Sequence, residues 1–348
     1  MNETGRRIRF LDLAKGVGIL MVTFGHITEL GNPVDQYMSL YKITVFYFIS
    51  GYLMSYLNRY EKTGYRDYIA GVTRHIAVPY LLFSIAAIMV RVLQTFLRHG
   101  DMMKTFMFNF REFITLKGIA TLWFLPTLFF AEIILFVILK NSGKAAGKAV
   151  FASVFLWPAA VLLYWDHFSP DLGIQAVICK SLVAVWFMAA GFVFHRYIHD
   201  RLPAPVLFAA GIILSLITVW LTKYSHHIDF NLMRFGDMPA VFFIGGICGS
   251  AGLLLVLEAL ERVYVPAVLE YFGKNSLILM CAQRGLLILN IITEGWGKVF
   301  RLTDVVCKRF YIERLCILVI LLVTVYGLTE LIDRCKNNLF KKRGSNAA

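Results

Sequence analysis

Residues 10–30 read FLDLAKGVGILMVTFGHITEL. At 1.5 Å per residue this stretch is about 30 Å long, the thickness of a bilayer's hydrocarbon core, yet it carries Asp12, Lys15 and His26. Ionisable groups at membrane depth are costly and by default mark a functional site. Lys15 and His26 are eleven positions apart, close to three helical turns, so they share one face at a separation of about 16 Å. That is too far for a mutual hydrogen bond and suits contact with two parts of one long ligand. Asp12 precedes Lys15 by three residues, the spacing at which helical side chains pair, and so can neutralise or orient it. Gly16, Gly18 and Gly25 allow close approach, either of a neighbouring helix or of an extended ligand arm.

The rest of the chain has the same character. Of the 348 residues 58% are apolar and 16% charged, and the mean hydropathy is +0.66, well outside the balance of soluble globular chains. Apolar runs predict an all-α polytopic membrane protein of about ten helices, near 10–30, 37–57, 75–97, 122–139, 149–165, 174–194, 204–222, 238–257, 270–292 and 313–332. They form a single transmembrane domain over 1–335, followed by a basic tail, 336–348, whose end KKRGSNAA reads as disordered. Arg6, Arg7 and Arg9 precede the first apolar run, but the run is too long for a signal peptide and lacks a cleavage pattern. With alternate loops assigned to opposite sides, the N-terminal side collects about 18 Lys and Arg and the other about 10, which predicts cytoplasmic termini, an even number of spans and residence in the cell's inner membrane. Segment 105–118, mixing aromatic and charged residues, reads as an interfacial or re-entrant helix.

The net charge of +13 follows from this positive-inside bias. The basic residues are spread over many short loops and form no groove-filling stripe, so no nucleic-acid partner is expected. Six cysteines without a CxxC pair predict neither a disulfide framework nor a zinc site. His195 and His199 have the spacing of two metal ligands on a helix, but no acidic third ligand stands out and no metal is expected. His226, His227, Asp229, Asn231 and Arg234 read as a solvated outer loop that could also meet a glycan.

Several elements together carry a family resemblance. Leu11, Asp12, Lys15 and Gly16 are followed ten residues later by His26; FYFISGYL spans 46–53; Arg74 precedes Pro79 and Tyr80; LWFLPTLFFAEII spans 122–134; and FGKNSL spans 272–277. In this order, over nearly the whole length, the chain resembles the acyltransferase-3 family of membrane proteins that O-acylate cell-surface carbohydrates. The resemblance implies acyl-CoA as donor, acetyl-CoA by default, a polysaccharide or glycolipid hydroxyl as acceptor, and no metal. It implies His26 as general base with Asp12 and Lys15 in the catalytic group. It implies donor contacts from Lys15, Arg74, Trp123, Lys274 and Ser276, while leaving open an interfacial role for Trp123 and a helix-capping role for Lys274, Asn275 and Ser276. The chain departs from the family's pattern twice. Gly71 stands where a second arginine is common three residues before Arg74, and Gln283 followed by Arg284 stands where many relatives have histidine. A glycan or lipid transporter using Lys15, His26 and Arg284 as a relay is the alternative reading, although the chain shows no pair of corresponding halves. Lipid is a partner in either reading.

Overall fold

The computed structural model describes residues 8–27, 32–148, 150, 173–199, 203–300 and 307–345. Its elements are α1 (Arg9–Ile27), α2 (Pro33–Tyr41), α3 (Thr44–Tyr56), α4 (Tyr65–Leu97), α5 (Met102–Ile114), α6 (Ala120–Ser142), α7 (Ile174–Tyr197), α8 (Ala204–Leu221), the two-residue antiparallel strands β1 (Ile228–Asp229) and β2 (Arg234–Phe235), α9 (Pro239–Glu261), α10 (Ala267–Lys274), α11 (Ser276–Gly285), α12 (Ile288–Phe300) and α13 (Cys307–Ser345).

Seven helices among the described residues are long and apolar enough to cross a membrane, and α11 with α12 makes an eighth if that bent pair is one span. The seven coincide with the expected segments 10–30, 75–97, 122–139, 174–194, 204–222, 238–257 and 313–332. Segment 149–165 lies, apart from residue 150, outside the described residues. The other two expected spans are interrupted. Segment 37–57 is two helices, because Thr44 turns its hydroxyl onto the Tyr41 carbonyl (3.4 Å) and the Gly246 carbonyl (3.4 Å) of α9, and a β-branched run, Ile43 to Val45, weakens the ladder at that point. Segment 270–292 breaks twice. Asn275 separates α10 from α11, and Leu287, in the left-handed region at φ 58°, starts a 57° bend between α11 and α12. The carbonyl of Arg284, at that bend, accepts from the Leu287 N–H at 3.4 Å and from Arg91 Nη2 on α4 at 3.1 Å. At the C-terminus the backbone stays helical to Ser345, beyond the point where the composition of KKRGSNAA predicts disorder; Leu339 to Arg343 contains no helix breaker.

Two local features follow directly from the sequence. Pro79 has no N–H to offer the preceding turn, and α4 widens to a π-turn over Thr73–Ala77 just before it. Segment 102–114, capped by Asp101 accepting from the Lys104 N–H at 2.9 Å, forms α5 and runs back along α4. Thr95 and Thr105 hydroxyls meet at 3.1 Å, and the Tyr80 hydroxyl donates to the Phe113 carbonyl at 2.9 Å. Segment 105–118, expected as an interfacial or re-entrant helix, thus lies largely in a short helix folded back on α4.

The core forms around α7, which is buried along most of its length. Glycines set its crossing with the antiparallel α3: Gly51 rests on the Met188 backbone and Gly191 on that of Phe48. Such small-residue contacts are how helices associate where lipid removes the hydrophobic drive. The apolar spans of α4 and α8 and the 313–332 part of α13 are largely exposed, the character of a lipid-facing periphery.

Candidate functional site

Helix α1 is the axis of the site, and its two ends differ. At the N-terminal end Asp12 is 2% exposed and its Oδ1 lies 3.7 Å from Lys15 Nζ, the i, i+3 pair expected from the spacing. This pair is set by a backbone crossing. A Cβ added to Gly273 of α10 would stand 2.6 Å from the Asp12 carbonyl carbon, and one added to Gly16 would stand 3.0 Å from that of Leu269. The crossing brings Lys274 to the same end, where Lys274 and Arg9 both engage Glu270. Those bonds hold the Glu270 carboxyl below its usual range, the Lys274 bond most of all. Of the two open readings of the glycines, helix approach is what the structure shows. Gly18 lies under Val45 and Phe46 of α3, and Gly25 under the side chains of Lys42 and Asp35.

His26 is part-buried at the other end. Neither ring nitrogen hydrogen-bonds a described residue; Lys42 Nζ would stand 2.9 Å from a Cβ added at the neighbouring Gly25, and α11, which ends in Arg284, packs along α1. Lys42 is tied back by a short network: its Nζ donates to Asp35 Oδ1 at 3.0 Å and to Ser39 Oγ at 2.8 Å, with Asp35 buried. Asp35, Ser39 and Lys42 were not singled out in the sequence. The signal that could have found them is an acid, a hydroxyl and a lysine at i, i+4 and i+7, one face of a two-turn helix.

The remaining expected residues are spread over the molecule. Trp123 starts α6 close to α11, where Thr121 donates to the Met280 carbonyl at 2.8 Å. It stacks on Phe230 of the strand hairpin at 5.8 Å, and Lys180 Nζ lies 5.3 Å from the ring centroid. Lys180, itself buried, donates to Asn231 Oδ1 at 2.8 Å. The expected outer-loop polar cluster thus has one member, Asn231, latched into the bundle, and another, His226, held by Gln36 of α2 at 3.2 Å. Trp123 is a packed residue against that loop. Arg74 is exposed on the π-turn of α4, a segment that packs on α6. Ser276 begins α11; no side-chain cap bond forms there, and Asn275 instead donates back to the Tyr271 carbonyl at 3.1 Å, closing α10. The structure therefore brings Asp12, Lys15 and Lys274 to one end of α1 and sets His26 on the same helix, while Arg74 lies on the π-turn of α4 and Trp123 packs on Phe230 and Lys180.

Two further polar groups surface only in three dimensions. His199 Nε2 meets Glu258 Oε2 of α9 at 2.7 Å, and His195 Nδ1 meets Ser55 Oγ at 2.9 Å. Glu258 is the acidic partner that the sequence did not reveal, since it lies 59 residues away. No group of three or more His, Cys, Asp or Glu among the described residues could hold a metal. Glu132, in the middle of α6, accepts from Ser50 at 3.0 Å and from Tyr68 at 3.1 Å, which ties FYFISGYL to α4 and α6.

A protein-family model for the acyltransferase domain of the acyltransferase-3 type matches residues 8–331. No curated protein and no solved structure matches the chain.

Proposed function

The chain belongs to the acyltransferase-3 family, and on that premise we propose that this multi-pass membrane acyltransferase moves an acyl group, acetyl by family default, from cytosolic acyl-CoA to a hydroxyl of a cell-surface carbohydrate. The observation that carries the proposal is the two-ended α1: an Asp12–Lys15 ion pair near one end, and at the other an imidazole whose ring makes no hydrogen bond to a described residue. In this reading both termini and the basic end of α1 face the cytosol, as the loop charges predict. Lys15, with Arg9 and Lys274 nearby, meets the anionic donor there, because phosphate oxygens are matched by ammonium and guanidinium donors. The thioester then lies towards His26, about 16 Å further along the helix.

The chemistry at that end is acyl transfer. A sugar hydroxyl is a weak nucleophile at neutral pH, and His26 accepts its proton as the oxygen attacks the thioester carbonyl. The new C–O bond forms, the C–S bond breaks, and the proton passes from the imidazolium to the departing CoA thiolate. Imidazole suits this role because its ordinary pKa is near the working pH; general-base assistance contributes roughly 10²- to 10⁴-fold. The residues are the whole apparatus, with no metal in the scheme.

The test uses membranes holding wild-type or His26→Ala protein at matched levels, supplied with acetyl-CoA labelled in the acetyl group, and counts base-labile label in the glycan fraction. Label that needs His26 is the expected result. Equal label in both would refute the base role. Its absence from both, with other short acyl-CoAs also tried, would shift the reading to glycan or lipid transport.

A further inference from the structure

Beside His26 the bundle holds more positive charge and more unsatisfied polarity than the transfer chemistry described above uses. Arg284, at the end of α11, the helix that packs along α1, is exposed and has no carboxylate partner among the described residues. Arg91 of α4 reaches the same point, with one amino group on the Arg284 carbonyl at 3.1 Å while its buried Nε has no hydrogen-bond partner among the described residues. It too lacks a carboxylate partner among the described residues. Gln283, one position before Arg284, is completely buried, and neither its Oε1 nor its Nε2 has a hydrogen-bond partner among the described residues. By contrast, Lys42, also near His26, is neutralised by Asp35 at 3.0 Å, and Arg98, seven residues beyond Arg91 and just past the end of α4, is neutralised by Glu294 at 2.6 Å.

Buried amides and guanidinium nitrogens are nearly always bonded, and leaving one bare costs as much as losing a hydrogen bond outright. In a membrane protein, where there is no bulk water to turn to, that cost is larger. Two arginines without an acid and a glutamine without a partner, collected at the bend between α11 and α12, are the donor set of an anion site: forked guanidinium donors match the oxygens of a carboxylate or phosphate, and an amide adds one more N–H. The site sits at the His26 end of α1, about 16 Å from Lys15, so the donor's phosphates, assigned to Lys15, are not the anion it serves.

We infer that Arg91, Gln283 and Arg284 bind a negatively charged group of the carbohydrate acceptor, a carboxylate or phosphate on or beside the sugar whose hydroxyl is acylated. The inference rests on the proposed transfer to a carbohydrate for the identity of the ligand. It makes the acceptor an acidic glycan, and it makes Arg284 a specificity-determining residue. A lipid headgroup offers the same phosphate chemistry, so the test separates the two sources.

The full-length protein is placed in nanodiscs of phosphatidylcholine alone, and binding of three fluorescent probes is measured: trigalacturonate, its trimethyl ester, and a glycerol-phosphate oligomer. The expected result is that at least one acidic probe binds about tenfold or more tightly than the ester, that Arg284→Gln and Arg91→Gln each remove most of that preference, and that Gln283→Leu weakens it. Arg284 is exposed, so its variant should keep the wild-type melting temperature, which is checked in parallel. Equal binding of acid and ester, or no binding of any probe, overturns the inference. So does a preference that Arg284→Gln leaves intact. A fourth arm adds phosphatidylglycerol to the discs: Arg284-dependent retention of that lipid, with no preference among the glycan probes, overturns the acceptor assignment and gives the site to lipid. Binding is read without turnover, so failure of acetyl transfer with acidic probes still bound would sink the role of His26 and leave the anion site standing.

Discussion

The crossing of α1 and α10 is the point at which a single methyl group should disconnect the structure from the chemistry. Gly273→Ala places a Cβ 2.6 Å from the Asp12 carbonyl carbon, with the carbonyl oxygen nearer still and the Gly16 nitrogen at 3.1 Å. Carbon atoms in contact settle near ~3.5 Å, so α10 must retreat from α1 by roughly 0.9 Å at minimum, the difference between those two distances. The obstacle is backbone, which cannot rotate away. Overpacking of this kind typically costs about 1–3 kcal/mol, which corresponds to a change of about 5- to 150-fold in the population of the native arrangement at ~1.4 kcal/mol per factor of ten. The displaced residues are those that place Asp12 beside Lys15 and Lys274 at the same end. The expected outcome is a lower melting temperature in detergent, together with a rise in the Michaelis constant for acyl-CoA that exceeds any loss in the maximal rate. Gly71→Ala is the control, because a Cβ there meets nothing within 4 Å and alanine favours the helix by up to about 1 kcal/mol; it should melt no lower than the wild type. Gly273→Ala protein with wild-type melting and wild-type kinetics would refute the claim that this crossing sets the site.

Asp35→Asn leaves Lys42 without its buried counter-charge, and removing one member of such a pair costs about 3–5 kcal/mol; thermal unfolding should show the loss, and Asp35→Asn combined with Lys42→Met should recover much of it. Lys180→Met keeps the stem that packs over Trp123 but removes the bond to Asn231, so faster proteolysis within 226–236 is expected, with little change in melting. Glu270 has a depressed carboxyl pKa from Lys274 and Arg9; its stabilising effect is therefore full above the ordinary carboxylate pKa and fades as pH falls through the lower native value. The melting difference between wild type and Glu270→Gln should be present at neutral pH, persist to about pH 4.3, the unperturbed value, and vanish below the native pKa; a difference that grows on acidification would contradict the assignment.

Long-range facts separate what the sequence reveals from what it hides. The helices that read clearly are those whose apolar run is uninterrupted, and seven of them lie where hydropathy puts them. The same signal is blind to backbone breaks, because an apolar residue hydrogen-bonded across a helix end looks like one inside a helix. Thr44 and Leu287 end two runs without changing their hydropathy. Within the site, Asp12 and Lys15 are neighbours by helical arithmetic, and that arithmetic holds. Arg284 and His26 are 258 positions apart (284 less 26) and come together only because α11 follows α10 up the side of α1. Glu258 and His199 meet in the same way. Periodicity reports which face a residue occupies, and it carries no information about which other helix that face will meet.

Under the proposed mechanism these tertiary contacts divide the work along one helix. The end of α1 near Lys15 is fixed by backbone against backbone, Gly16 and Gly273 leaving no slack, which suits a donor whose phosphates must be held in register while its acyl arm reaches along the bundle. The His26 end is bordered by side chains: Lys42 held by Asp35, Arg284 at a bend, Gln283 unsatisfied. Side-chain walls of this kind can re-form around different sugars, whereas a glycine crossing cannot. If the enzyme's specificity is to be altered, the residues to change are therefore those of α2 and α11 that face His26. Exchanging Arg284 for a neutral residue should relax the choice of acceptor while the Michaelis constant for acyl-CoA stays as it was. A change in that constant of the same size as the change for acceptor would show that the two ends of α1 are not separable, and would refute the division of labour.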